Sequence, residues 1–171
     1  MKYIIGDLLK LADDGQFDVI VHGCNCFNTM GAGIAAAMRQ RCPDAYSVDN
    51  STLKGDRRKL GTFTQATVCD IYSRGEYKII NAYTQYTYWD VDDMLSYDAI
   101  RNVFQKLKDQ YDNDITPVRI GIPLIGAGLA RGDWNKIEEI IDSIGFRNLT
   151  CVVWNDFEAE KVNRLAECKG A

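Results

Sequence analysis

Short apolar runs alternate with amphipathic helical patterns along nearly the whole chain, and this alternation restricts the fold more than any other feature. Runs at 2–5, 19–23, 63–69, 77–82, 119–124 and 149–154 read as strands. Over 96–111, Tyr97, Ile100, Phe104, Leu107 and Tyr111 recur every three or four residues, which puts all five on one face of a helix. A second helix over 134–144 repeats the pattern with Ile137, Ile140, Ile141 and Ile144, and Asp133 stands at its N-cap position. A shorter helix runs from about Gly33 to Pro43, and a mostly exposed one over 156–168 carries Val162 and Leu165. Strands and helices in this order form β-α-β units with helices covering a sheet.

At 171 residues and 46% hydrophobic content, the chain supports one core and a single domain, 1–171. The one long irregular segment, 47–61, reads as a surface excursion of that domain. Met1 to Lys10 lacks the order of a secretory signal, and no apolar run approaches the roughly 20 residues of a membrane span, so a soluble, cytoplasmic protein is expected. Six cysteines (24, 26, 42, 69, 151, 168) read as reduced thiols. Cys24 and Cys26 beside His22 make a poor metal set, and neither a metal nor a cofactor is called for. A net charge of −4 argues against broad nucleic-acid binding, and the basic cluster Lys54, Arg57, Arg58 and Lys59 reads as a solvated loop.

Two loops carry the chemistry. After the strand at 19–23 the chain passes through Asn25 to Gly31-Ala32-Gly33 and a helix; after the strand at 119–124 it passes through Gly126-Ala127-Gly128 toward the helix at 134. Open α/β sheets bind ligands beyond the carboxyl ends of their strands. Glycines there let backbone N–H groups approach an anion, and a helix start adds a favourable dipole. A phosphate-bearing small molecule fits both loops. Neither matches the nucleotide-triphosphate loop or the dinucleotide fingerprint in its proper place, so kinase and dehydrogenase readings fall away.

Gly6-Asp7-Leu8, the run from His22 to Ala35 and the run from Ile122 to Trp134 together resemble the ligand-binding segments of macro domains, which bind ADP-ribose. The HGCNC stretch at 22–26, GDRRKLGTF at 55–63 and NAYTQY at 81–86 resemble the ADP-ribose 1″-phosphate phosphatase branch, with its yeast-type, bacterial and phage members. The resemblance implies a three-layer α/β/α fold with a mixed, mainly parallel central sheet. It implies that Asp7 and the Leu8 backbone meet adenine, and that Asn25, Gly31, Ala32, Gly33 and Ile34 surround the distal ribose and adjoining phosphate. It further implies that Ile125, Gly126, Ala127, Gly128 and Leu129 hold the diphosphate and that Trp154 lies near adenine. From the residues alone, the alternative for Asp7 is a turn or helix-cap aspartate, and Trp154 reads equally as a core residue.

His22 is the only histidine, and the resemblance makes it the catalytic candidate for removing the terminal phosphate of ADP-ribose 1″-phosphate, as general base, general acid or nucleophile. Its alternative is a hydrogen-bonding structural role. Asp133 is the candidate carboxylate partner, with a cap as its alternative. Two further functions compete: a non-catalytic ADP-ribose-binding module, and an ADP-ribosyl hydrolase acting on modified protein or nucleic acid. The related hydrolases use a lysine and an aspartate where the alignment places Gln85 and Ala130, neither of which supports that mechanism.

Overall fold

The computed structural model describes residues 1–113 and 115–169, with side chains as far as Val162. The expected exposure of Leu165 and the thiol state of Cys168 therefore lie outside the described residues.

The apolar runs pair into one six-stranded sheet of β1 (Lys2–Ile5), β2 (Val19–Cys24), β3 (Phe63–Val68), β4 (Tyr77–Tyr83), β5 (Ile120–Ile122) and β6 (Leu149–Val153), in the spatial order β1-β6-β5-β2-β4-β3. All pairs are parallel except β3 with β4 at one edge. The helices are α1 (Leu8–Asp13), α2 (Gly33–Arg41), α3 (Pro43–Asn50), α4 (Tyr97–Tyr111), α5 (Trp134–Ile144) and α6 (Asp156–Lys169). None of the described helices is long and apolar enough to cross a membrane.

Strand alternation divides the interior in two. Val19 and Val21 of β2, with Ile80 and Ala82 of β4, join Ile100, Phe104 and Leu107 of α4 and Ile137 and Ile141 of α5 in one core. Ile20 and Cys24, with Ile79 and Tyr83, join Leu8 and Ala12 of α1, Met38 of α2 and Ala45 of α3 in the other. This is a three-layer α/β/α fold with a mainly parallel sheet. Both of its faces are covered, so β2 and β4 are buried along almost their full length.

Two sequence expectations change. Helix α2 ends near Pro43 as expected, at Arg41 with Cys42 extended, but the proline, with no N–H to offer, opens the first turn of a new helix, α3, that runs to Asn50 where a loop was expected from Ser47. The excursion thus begins at Ser51, and within it Arg57–Lys59 forms a 3₁₀ turn capped by Asp56, whose carboxylate accepts from the Arg58 N–H at 2.9 Å. Helix α1, unmarked by periodicity because it is less than two turns long, also appears.

Candidate functional site

A pocket of about 1290 Å³ lies across the carboxyl ends of the strands. It exceeds the roughly 300–1,000 Å³ usual for small-molecule sites, so it has room for a ligand of dinucleotide length. One end is formed by Gly6 to Leu9 after β1 and by Val152, Trp154, Phe157 and Glu158 around the end of β6; these two strands are neighbours at the sheet edge. The middle is the loop after β5, from Pro123 to Arg131. The other end is built from Cys24, the last residue of β2, and Asn25 after it, Thr29 to Ala35, Asp49, and Gln85, Tyr88 and Trp89 after β4.

The two glycine turns face each other across the middle. Gly33 has φ of +55°, and a Cβ placed on it would come 3.5 Å from Leu129 Cδ1 on the opposite turn. Helix α2 begins here behind Ala32, which offers no side-chain cap, and Gly33, Ile34 and Ala35 line the pocket. The first amides of α2 are thus presented to whatever occupies the pocket. The second turn stands apart from the helix that follows it, whose start behind Asp133 is as expected. It closes on itself, with Gly132 N–H donating to Gly126 O at 2.8 Å, and α5 starts only afterwards, at Trp134. The amides available there are those of Gly126, Gly128 and Leu129 in the turn rather than of a helix start, since Ile125 N–H donates to Pro123 O at 2.7 Å and Ala127 N–H to Leu124 O at 3.1 Å. Gly126 adopts φ of +76°, and a Cβ on it would meet Leu95 Cδ1 at 3.0 Å, so both conformation and space call for glycine.

Asp7, Leu8, Asn25, Gly31, Ala32, Gly33, Ile34, Ile125, Gly126, Ala127, Gly128, Leu129 and Trp154 are all brought to this one pocket. Asp7 also caps α1: its Oδ1 accepts from the Leu9 and Lys10 N–H groups at 2.9 and 3.1 Å, and Oδ2 takes no part in that cap. Asn25 works within its own loop, donating to Thr29 Oγ1 at 2.7 Å and accepting from Phe27 N–H at 2.8 Å. Trp154 is 64% exposed, which removes it from the core, and it belongs to the pocket wall together with Phe157.

The two candidate catalytic side chains lie elsewhere. His22 does not line the pocket: it is fully buried on the face of β2 that packs toward α1, α2 and α3. Its strand partner across the parallel register is Asn81, and His22 Nε2 lies 2.8 Å from Asn81 Oδ1. Asn81 Nδ2 in turn donates to Ala45 O at 2.7 Å and to Thr64 Oγ1 at 3.1 Å, so the pair ties β2 and β4 to α3 and β3. Burial pushes the imidazole pKa down to about 4, against the hydrogen bond to Asn81. The ring is neutral at pH 7. Asp133 is exposed, absent from the pocket wall, and caps α5 by accepting from Asn135 N–H at 3.0 Å. Asp133→Ala should therefore cost about 1 kcal/mol of stability in denaturant unfolding while leaving ligand affinity unchanged.

Some contributors carried no functional signal in the sequence. Lys59, read with its neighbours as a solvated charge, is only 7% exposed. Its ammonium donates to Cys26 O at 3.2 Å and to Asn28 Oδ1, holding the loop from Asn25 to Thr29 from below, and burial lowers its pKa. Asn28 itself has φ of +57°. Arg131 and Lys161 bring positive charge to the pocket wall.

The likeness to known proteins agrees with this geometry. Residues 21–141 match the family model for the macro domain. The chain belongs to the macro domain family. It is 35% identical over 145 residues, 84% of this chain and 88% of the relative, to an uncharacterized 17.5 kDa protein of Enterobacteria phage T4. It is 24% identical over 152 residues, 84% of this chain and 92% of the relative, to an ADP-ribose 1″-phosphate phosphatase of Lodderomyces elongisporus. Its fold superposes on Thermosipho africanus DarTG in complex with ADP-ribose with a TM-score of 0.68 at 14% identity, covering 90% of this chain and 42% of that one.

Proposed function

We propose that this macro domain binds ADP-ribose, with adenine at the end formed by Asp7, Leu8 and Trp154, the diphosphate between the two glycine turns, and the distal ribose at the end formed by Asn25 and Asp49. The observation that carries the reading is the continuous pocket from β1 to β4 with free amides in its middle. A dinucleotide-sized ligand with its charge at the centre matches that layout. Arg131, on the wall of the same loop as Gly128, adds countercharge for the phosphates.

A second reading, removal of the terminal phosphate of ADP-ribose 1″-phosphate, is supported by the phosphatase name of the Lodderomyces elongisporus relative. The burial of His22 speaks against its imidazole as the group that performs it, because a ring enclosed between β2 and the helices that cover it, and absent from the pocket wall, reaches neither substrate nor water. Removal of ADP-ribose from protein or nucleic acid by the lysine and aspartate mechanism has an amide, Gln85, and a methyl, Ala130, on the pocket wall where those groups would stand. Binding without turnover is thus the reading the geometry favours. Incubation with ADP-ribose 1″-phosphate should leave inorganic phosphate at background; sustained phosphate release would restore the phosphatase reading, and release abolished in His22→Gln with binding intact would return the imidazole to catalysis.

A further inference from the structure

The polar residue at the inner end of the pocket has an unused acceptor. Asp49, near the end of α3, belongs to the pocket wall and is 1% exposed. Its Oδ1 accepts from the Tyr83 hydroxyl at 2.8 Å and forms a loose ion pair at 3.9 Å with Lys59 Nζ, which also donates to Cys26 O and Asn28 Oδ1. Its Oδ2 has no hydrogen-bond partner among the described residues. A buried carboxylate oxygen without a donor is costly, and native interiors seldom leave one so.

The position narrows what the missing donor is. Asp49 stands at the β2 and β4 end, opposite Asp7 and Trp154 and beyond the glycine turns. A ligand that places its base by β1 and its phosphates in the middle delivers its last group here. A carboxylate accepts from hydroxyls and repels phosphate oxygens.

We infer that Asp49 is a specificity-determining residue that accepts a hydrogen bond, directly or through one water, from a hydroxyl of the ligand's distal sugar, and so selects a sugar end with free hydroxyls over one ending in phosphate. This rests on the ADP-ribose reading above. Burial raises the Asp49 pKa, against the Tyr83 hydrogen bond and the nearby Lys59 charge.

The test is titration of wild type and Asp49→Asn with ADP-ribose and with ADP, which lacks the distal sugar. The expected result is a loss of about tenfold or more for ADP-ribose in the variant, with ADP affinity unchanged. Equal losses for both ligands would make Asp49 a structural residue and overturn the inference, as would no loss for either. Should the variant not fold, the wild type still decides: an ADP ester whose distal furanose ring carries no hydroxyls should bind about tenfold more weakly than ADP-ribose, and equal binding overturns the proposal. Wild type that binds ADP but gains nothing from the distal sugar contradicts the role of Asp49 alone. Wild type that binds neither contradicts the ligand reading itself.

Discussion

Gly128→Glu is expected to lower ADP-ribose affinity by about a hundredfold in calorimetric titration while the protein stays folded. Gly128 is exposed at the crest of the second glycine turn, its φ is not positive, and a Cβ built on it meets nothing within 4 Å. The fold therefore accepts a side chain, and the change in unfolding free energy should stay within about 0.5 kcal/mol. The pocket does not accept it. A carboxylate about 4 Å from a phosphate charge costs about 4 kcal/mol at the effective dielectric of a protein surface, and the same side chain blocks the approach to the turn amides. Water at the pocket mouth screens part of that repulsion, but half of it still exceeds a tenfold loss, and the blocked amides add to it. Gly128→Ala, which adds bulk without charge, should fall between wild type and Gly128→Glu.

His22→Ala is expected to act on stability. The substitution removes a fully buried ring and leaves Asn81 Oδ1 without its 2.8 Å partner, inside a network that joins two central strands to α3. A cavity of that size and an orphaned acceptor together cost about 3–4 kcal/mol, a large share of a domain's net 5–15 kcal/mol. At this chain length the melting temperature should drop by about 10 °C. The same ring sets a pH dependence. Its folded pKa of about 4 lies below the unfolded value near 6.5, so the unfolded chain binds a proton in this interval that the native chain refuses. The stabilisation from keeping the ring neutral is whole above about pH 6.5 and is lost as pH falls toward 4, about 3 kcal/mol in all. Urea unfolding across that range should show this acid-side slope in wild type and its absence in His22→Gln. A ring that acts on substrate instead would make His22→Gln lose turnover with little change in melting.

The sequence carries most of the fold and the outline of the pocket, for physical reasons visible in particular residues. The isoleucines of α5 and the aromatic stripe of α4 mark long amphipathic helices whose buried faces are confirmed by Ile137, Ile141, Phe104 and Leu107. The ligand-facing loops follow from the rule that connections at the carboxyl ends of parallel strands meet there. What stayed hidden depends on contacts between distant segments. His22 sits in Val19–Cys24, a strand buried on both faces, and shares a side with Cys24, which does line the pocket; depth excludes it, two residues before the strand end, and alternation gives the side without telling where along the strand the pocket floor falls. Lys59 looks solvated beside Arg57 and Arg58 because nothing local announces that Cys26 and Asn28, about thirty residues earlier, supply its acceptors. Asp49 lies in a polar stretch that resembles a loop until Pro43 is recognised as a helix start. At the second glycine turn only the contribution of a helix start fails: α5 begins at Trp134 behind Asp133, as the sequence indicates, and the turn that faces the ligand closes before it.

The most direct test of the central claim is a calorimetric titration of the wild-type chain with ADP-ribose at pH 7. Saturable binding at one site per chain, weakened about a hundredfold by Gly128→Glu, is the predicted result. No detectable heat or displacement with ADP-ribose at millimolar concentration would contradict it.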